Sequence, residues 1–533
     1  MDINEFLIGV TGEIDDFMYT YILVILLVIV GIYFTIRTKF VQIRYIKDMF
    51  TNLVGKSVAA DEEFTDEEEE IAEHLIPLEE APGAESGNDA AYSNKGGKKK
   101  KISSFQALMV STASRVGTGN IAGIATAIAT GGPGAVFWMW LMSIIGAASA
   151  FVESTLAQIW KVRNPDGSFR GGPAYYIQLA LGQRWLGIVF AIALILCFAV
   201  GFNGLQMFNM NSAIDYYVAE EHQMTVNSII GLLVIIAVAI VIFGGTSRIS
   251  FVTSWIVPIM AIAYILVAIF TCVANAAWIP AAFAEMFRGA FDFESIFGGF
   301  VGSAVMLGIK RGLFSNEAGM GSAPNAAATA DVSHPVKQGL VQSLSVYLDT
   351  LVICTCSALM MMIFYVQDPI TASEVNGMTF VQMAMNNAIG PVGIHFITAA
   401  IVLFAFSSLV GNYFYAEGNI LFIKDNKVVL AIFRICCLIA IFIGAINSFD
   451  LAWNLADIFM GFMAIINLIA ILLLGKWALK ALDDYTSQRK KGLNPVFYAD
   501  SIPGMPKTEW WLRDTADSDV EKVEVEVAVE ETA

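Results

Sequence analysis

The chain is poor in charge, histidine and cysteine, and each shortage excludes a class of protein. Only 15% of its 533 residues are charged, against about 25% in a soluble domain. The four histidines are too scattered for a catalytic or metal-binding cluster, and we expect all of them, including His334 and His395 at span ends, to be ordinary solvated side chains. These shortages argue against an enzyme.

The six cysteines lie in or at the edges of apolar segments, where they serve as small apolar side chains. Cys354 and Cys356 diverge on a helix, and the neighbours Cys436 and Cys437 point in different directions. We therefore expect no disulfide and no metal–thiolate site.

What the chain has in abundance is apolar residues, at 56%. Segments of about 20 apolar residues are long enough to cross a bilayer as helices. Eleven such segments can be recognised, at 19–37, 105–129, 135–160, 185–203, 227–244, 251–271, 297–330, 340–366, 392–417, 428–447 and 453–475. The sequence thus predicts an all-α polytopic protein whose solvent is the lipid bilayer.

The net charge of −17 comes largely from two polar stretches, with thirteen carboxylates within 61–89 and nine after residue 500. We interpret both as solvated, disordered segments and not as a binding module. The run KGGKKKK at 95–101 indicates the cytoplasmic face and not a nucleic-acid site. No obligate protein partner is evident.

Basic residues predict the orientation. With the amino terminus outside, the loops that carry Lys and Arg fall on the cytoplasmic side, and Arg288 alone falls in an outer loop. The carboxyl terminus is then cytoplasmic and the membrane is the plasma membrane. The opening segment MDINEFLIGVTGEIDDF has no basic n-region and no small-residue cleavage site, so the first span is expected to be retained and not removed as a signal peptide.

Two spans interrupt their own helices with polar residues and glycine. They contain SRVGTGNIAG at 114–123 and GIKRGLFSNEAGMGSAPNAAATA at 308–330. The two spans are five apart, and because five is odd, ten spans after the first form two inverted groups. Unwound backbone at membrane depth persists only where it lines a cavity or meets a ligand, and paired breaks of this kind indicate the binding site of a transporter. Packing through Gly119 and Gly123 is the alternative explanation.

The stretches GGPGAVFWMWLMSIIG at 131–146 and SNEAGMGSAPNAAATA at 315–330 resemble the sodium:alanine symporter family, within the amino acid–polyamine–organocation superfamily. The resemblance covers roughly residues 100–480. It implies a five-plus-five inverted-repeat fold with broken first and sixth core helices, and symport of alanine or glycine with sodium by alternating access.

The resemblance also implies roles for individual residues. VGTGN at 116–120 is similar to the break in neurotransmitter:sodium symporters, where backbone amides bind the substrate carboxylate. The implied substrate-binding residues are Gly117, Thr118, Gly119, Asn120, Phe314, Ser315, Asn316, Glu317, Gly319 and Met320. The implied sodium ligands are the carbonyls of Ala113, Val116 and Phe404 and the hydroxyls of Ser407 and Ser408.

Charged residues also lie inside the predicted spans. Arg115 and Glu317 are expected to pair with each other, because an unpaired charge in lipid is costly. The alternative is that Arg115 faces the cytoplasmic gate and Glu317 senses or carries a proton. Asp349 and Glu153 are expected to form structural bonds. Lys310 is a candidate for an outer gate, and Arg311 is another.

The predicted division of the chain follows the spans: 1–37 is an outer terminus and an extra helix, 38–104 a cytoplasmic loop with an acidic insert, 105–271 the first repeat, 272–296 an outer loop, 297–475 the second repeat, and 476–533 a cytoplasmic acidic tail. Three other classes of protein are alternatives. An ion channel should show a filter-like loop. An enzyme embedded in the membrane should show clustered His or carboxylate side chains, and a sensor should have a folded output domain. Proton coupling in place of sodium is the main rival within transporters.

Overall fold

A computed structural model describes residues 3–54, 102–164, 167–292, 303–446 and 449–512 of the chain. The acidic insert at 57–94 and residues 513–533 of the predicted acidic tail lie outside these ranges. Within them the only paired strands are β1 (Val162–Arg163) and β2 (Phe169–Arg170), an antiparallel hairpin. The prediction of an all-α architecture is confirmed.

The first half of the described chain contains α1 (Ile3–Met18), α2 (Val24–Arg37), α3 (Val41–Arg44), α4 (Ile46–Val54), α5 (Ser104–Arg115), α6 (Ala122–Gly131), α7 (Ala135–Ile159), α8 (Pro173–Leu181), α9 (Arg184–Ile195), α10 (Asn203–Asp215), α11 (Glu220–Ile242) and α12 (Gly245–Ala274). Short π-helical segments at Tyr19–Leu23 and Leu196–Phe202 join α1 to α2 and α9 to α10 into continuous spans.

The second half contains α13 (Ile279–Ala290), α14 (Ala304–Asn316), α15 (Ala323–Ala327), α16 (Pro335–Tyr347), α17 (Thr355–Gln367), α18 (Pro369–Glu374), α19 (Gly377–Ile389), α20 (Pro391–Ile423), α21 (Lys427–Ala445) and α22 (Phe449–Lys490). A π-helical segment at Leu348–Cys354 joins α16 to α17. Single 3-10 turns lie at Thr118–Asn120, Ala276–Trp278 and Ala499–Ser501.

In the described part of the chain, nine helices are long and apolar enough to cross a membrane. Two further spans, α5–α6 and α14–α15, are each divided into short pieces. Counting from α5, the broken spans are the first and the sixth of ten, as the five-plus-five arrangement requires. The span formed by α1 and α2 stands before them and packs against α7 and α22.

Small side chains bring the spans together. Helix α7 carries the run from Gly146 to Ala150, and it packs along α14 and α16. Helix α20 meets α5 at Gly411, where an added Cβ would lie 2.6 Å from the backbone nitrogen of Ser114. Close backbone approach through small residues is how membrane helices associate, since lipid offers no hydrophobic drive between them.

Two helices continue past the predicted ends of their spans. The helical span that begins at Arg184 continues to Asp215 and not to 203, and the last helix continues to Lys490, beyond the predicted span end at 475. In the first case buried amide side chains, including Gln206 and Asn209, lower the local hydropathy although the helix continues. The hydropathy-based prediction therefore stopped at the point where this helix begins to present polar side chains to the first break.

Candidate functional site

The first break begins where α5 ends at Arg115. Gly117 takes an extended conformation, and a single 3-10 turn at Thr118–Asn120 leads into α6. The Asn120 side chain accepts a hydrogen bond from the Gly117 amide at 3.0 Å, so it satisfies a backbone N–H of its own break. Gly117 is required by space, because an added Cβ would lie 2.4 Å from Ser408 Oγ.

Two side-chain amides of α10, those of Gln206 and Asn209, contact this break and were missed by the sequence prediction. The backbone N–H of Thr118 donates to Gln206 Oε1 at 2.9 Å. Asn209 Nδ2 donates to Thr118 Oγ1 at 2.9 Å. With Asn203, these residues form a stripe at spacing i, i+3, i+6 on one face of an apolar helix, and that spacing is the signal that could have found them.

Of the residues implied as sodium ligands, Ser408 meets Ala113 of another helix beside Gly117, whereas Ser407 bonds the backbone of its own helix. Ser408 Oγ lies 3.0 Å from the carbonyl oxygen of Ala113, and Ser407 Oγ lies 2.9 Å from that of Phe404. These four residues and Val116 are all buried. Neutral hydroxyls and carbonyls are the oxygen ligands that a hard cation accepts, so the chemistry of these residues fits a sodium ion.

The second break follows α14 at Glu317, which adopts the left-handed conformation with φ of 56°. A non-glycine residue holds this conformation only when its surroundings fix it. Ser114 Oγ donates to Glu317 Oε1 at 3.0 Å, and Ser322 Oγ donates to Oε2 at 2.6 Å. Arg115 Nε lies 3.8 Å from Oε2, so the expected pairing of Arg115 with Glu317 is confirmed, and the arginine also bonds Ser345.

A second polar bridge joins the two breaks around Asp349. Asn120 Nδ2 lies 2.7 Å from Asp349 Oδ1 and 3.0 Å from Ser315 Oγ. Ser315 Oγ in turn donates to Asp349 Oδ2 at 2.6 Å, and Thr350 Oγ1 donates to the same oxygen at 3.0 Å. Cys354 Sγ lies 2.9 Å from Ser315 Oγ. Asp349 thus belongs to the junction of the two breaks, a larger role than the structural bond we expected.

Two other residues of the predicted substrate set, Asn316 and Gly319, form hydrogen bonds with other groups of the protein. Asn316 Nδ2 donates to Thr350 Oγ1 at 3.1 Å. The Gly319 amide donates to Glu153 Oε1 at 3.1 Å, and its carbonyl accepts from Asn467 Nδ2 at 2.9 Å. Because Glu153 also accepts from the Gly321 amide at 3.1 Å, its carboxylate satisfies the freed amides of the second break. The structural bond expected for Glu153 is therefore present.

Aromatic rings cover the first break from the other side. A Cβ added at Gly119 would lie 2.1 Å from a ring carbon of Phe314, so the ring lies directly on the glycine. The Phe314 ring centroid is 4.6 Å from that of Phe202 and 5.4 Å from that of Trp453. Met320 is fully buried in the main apolar cluster.

The buried bases of α14 have partners that the sequence did not reveal. Lys310 bonds Asp15 of the extra first helix, and its Nζ lies 2.8 Å from Asp457 Oδ2 in α22. Arg311 also bonds Asp457 and lies over the Trp453 ring at 4.3 Å. The two bases and two carboxylates cancel in charge, which permits their burial in a membrane protein.

His334 contradicts the expectation of a solvated histidine. It is fully buried and caps α16, its Nδ1 accepting from the Val336 amide at 3.1 Å. His395 lies with Nδ1 2.7 Å from the hydroxyl of exposed Tyr217. Among the residues that the structure describes, no group of three or more His, Cys, Asp or Glu side chains could hold a metal ion.

Paired helix breaks at corresponding positions of two inverted repeats, joined by buried polar side chains, define the class of protein: it is a secondary active transporter. The profile of the sodium:alanine symporter family matches residues 4–72 and 86–499. The chain belongs to this family.

Individual relatives agree with this assignment. The chain is 46% identical to the amino-acid carrier protein AlsT of Bacillus subtilis (strain 168), over 93% of this chain and 96% of that protein. It is 42% identical to the probable sodium/glutamine symporter GlnT of the same organism, over 95% and 97% respectively. The crystal structure of MhsT in complex with L-phenylalanine superposes with a TM-score of 0.51 at 15% identity, over 72% of this chain and 96% of that one. This last likeness concerns the fold alone.

Proposed function

We propose that the chain imports alanine or glycine by symport with sodium, through alternating access in the plasma membrane with its amino terminus outside. The observation that carries the proposal is the convergence of Ser408 Oγ on the Ala113 carbonyl at 3.0 Å, where α5 ends. Freed carbonyls and hydroxyls at the end of a half-helix suit a sodium ion, because the negative end of the helix dipole also favours a cation.

The substrate carboxylate would bind the backbone amides of Thr118 and Gly119, which open the second half of the broken helix. In the structure the Thr118 amide donates to Gln206 Oε1, a neutral oxygen that a carboxylate would displace with a stronger, charge-assisted bond. The ammonium group would be held by carbonyl oxygens and by oxygens of Asn120 and Glu317. Glu317 can offer one to a cation because Arg115, at 3.8 Å, only partly occupies it.

The aromatic rings support a small substrate. Phe314 lies on Gly119 and packs on Phe202 and Trp453, so a side chain pointing away from the break would meet a wall of rings. A methyl group or hydrogen fits such a site with little rearrangement, whereas a larger side chain must push apart close-packed rings. GlnT, named as a probable sodium/glutamine symporter, makes glutamine the competitor to test.

Sodium would supply the driving force. One positive charge entering through a potential of 100 mV contributes about 2.3 kcal/mol, which corresponds to roughly fiftyfold accumulation of the substrate. No covalent step is needed, because rocking of one helical bundle against the other exposes the same site to each side in turn.

The experiment that tests the proposal is uptake of labelled L-alanine into proteoliposomes under an inward sodium gradient, a proton gradient, or neither. Concentrative uptake with sodium alone, inhibited by glycine but not by glutamine, is expected. Absence of alanine and glycine uptake under every gradient, from protein shown to be folded, would refute the substrate.

Proton coupling is a second candidate because of Asp349. This carboxylate is buried and is bonded by the neutral groups of Asn120, Ser315 and Thr350, a setting in which a carboxyl group can carry a proton. Uptake driven by protons alone and abolished by Asp349→Asn would select this mechanism. If sodium drives uptake, the same variant should still respond to sodium.

A further inference from the structure

A basic cavity lies at the face of the protein that the distribution of Lys and Arg predicts to be cytoplasmic. It has a volume of about 240 Å³, and three arginines contribute to its lining, Arg163, Arg170 and Arg184. Its remaining lining consists of Val162, Tyr175, Gln178, Leu179, Leu421, Phe422 and Glu509. None of these lining residues belongs to the predicted substrate-binding or sodium-binding sets.

The arginines are only partly neutralised within the protein. Arg170 Nη1 lies 2.9 Å from Asp425 Oδ2, and Glu509 attracts the same guanidinium. Arg184 donates to the neutral Gln178 at 2.7 Å and to the Phe422 carbonyl at 3.5 Å. The cavity therefore keeps an excess of positive charge, with three guanidinium groups against two carboxylates.

Donor capacity is also left over. Arg163 contacts the ring of Trp510 at 5.5 Å, a contact that leaves its N–H groups free to bind an anion at their edges. Arg170 Nε is buried and has no hydrogen-bond partner among the described residues. Guanidinium groups of this kind bind phosphate oxygens in pairs, which makes phosphate the anion that the set fits best.

The position of the cavity favours a lipid over a soluble phosphate. Arg184 is the first residue of α9, which continues into the bilayer as a span to Asp215, so the cavity lies at the level of lipid headgroups. Trp185 beside it is 64% exposed, and tryptophan at a span end is typical of the membrane interface. Leu179, Leu421 and Phe422 add apolar wall.

We propose that this cavity binds the phosphate headgroup of an anionic phospholipid through Arg163, Arg170 and Arg184. The Glu509 carboxylate occupies the same cavity and opposes the headgroup by charge. Basic pockets beside membrane helices on the cytoplasmic side are suited to anionic lipids in this way.

The test is native mass spectrometry of the full chain with phosphatidylglycerol or phosphatidylcholine added to the detergent-purified protein. The variant Arg163→Gln/Arg184→Gln keeps the Arg170–Asp425 ion pair. The control Lys47→Gln/Arg248→Gln removes two exposed charges of the same predicted face. We expect selective retention of phosphatidylglycerol, reduced about fivefold for each cavity arginine removed, or roughly 25-fold in the double variant, and unchanged in the control.

Further arms decide the source of the phosphate and the role of the carboxylate. Glu509→Gln should increase retention of phosphatidylglycerol, because it removes the opposing charge. Inorganic phosphate and glycerol 1-phosphate should fail to displace the lipid. Equal retention of the two lipids, equal loss in the control pair, or displacement by inorganic phosphate at comparable concentration would each overturn the proposal.

Discussion

Substitution of Ser408 by alanine is the most direct perturbation of the proposed sodium site. Its hydroxyl lies 3.0 Å from the Ala113 carbonyl and is buried, and alanine retains the Cβ, so the substitution removes the oxygen without adding bulk. A hydrogen-bonding group that contacts a charge contributes about 1.5–3 kcal/mol, and each 1.4 kcal/mol is about tenfold in affinity. A water molecule can take the vacated position, so we expect the lower end, about a tenfold rise in the sodium concentration for half-maximal uptake.

The assay is alanine uptake into proteoliposomes as a function of external sodium, with choline replacing sodium to hold ionic strength constant. Ser343→Ala is the matched control, since Ser343 is also a buried serine whose hydroxyl donates to a carbonyl on another helix, that of Ala147, at 2.9 Å. Both variants lose one buried hydrogen bond. Only the variant at the proposed sodium site should change the sodium dependence.

An unchanged sodium dependence in Ser408→Ala would remove this hydroxyl from the site. An equal shift in Ser343→Ala would mean that the effect reports a general loss of helix packing and not a lost ligand. A fall in maximal uptake with unaltered sodium dependence in both variants would likewise indicate a general loss of helix packing and not a lost ligand.

Three further perturbations follow from the structure. Gly119→Ala should abolish uptake, because the added Cβ would lie 2.1 Å from the Phe314 ring. Gly123→Ala should still transport, because the nearest atom to its Cβ would be 3.4 Å away. Equal uptake by the two variants would contradict the close approach at Gly119. Asp457→Asn should destabilise the protein by about 3–5 kcal/mol and Asp15→Asn by less, because Asp457 contacts two bases and Asp15 one; thermal unfolding in detergent compares them. Burial lowers the pKa of Lys161 to about 7 from an unfolded value of about 10.4. The unfolded chain binds more protons between these values, so stability rises with pH across that window, and any advantage of Lys161→Met in melting temperature should shrink from pH 6 to pH 9; a constant difference would refute this.

The breaks were predictable because their residues conflict with an apolar helix. Glycine beside Asn120 and Glu317 is costly at membrane depth unless the backbone has a partner, and this cost is visible in one sequence. The pairing of Arg115 with Glu317 followed from the same cost. The hydroxyl pair at Ser407 and Ser408 came from family resemblance, because two serines in a helix usually bond only their own backbone.

Long-range partners could not be predicted in this way. Asp15 precedes the first repeat by ninety residues, and nothing local ties it to Lys310. Gln206 and Asn209 lie beyond the point where hydropathy ended their span, although the helix continues past them. Polar side chains lower a hydropathy score whether they face solvent or a buried site, so their burial becomes evident only from the packing of α10 against the first break.

The bridges between the two breaks offer a physical route for coupling sodium to substrate. Ala113, a proposed sodium ligand, is followed directly by Ser114, whose hydroxyl contacts Glu317 at 3.0 Å in the second break. Asn120, in the proposed substrate set, contacts Ser315 of α14 at 3.0 Å. A sodium ion that orders the last turn of α5 would thus order the second break, and a substrate at Asn120 would order the same junction from its other side. Because each ligand would lower the cost of ordering for the other, their affinities must rise together and by the same factor.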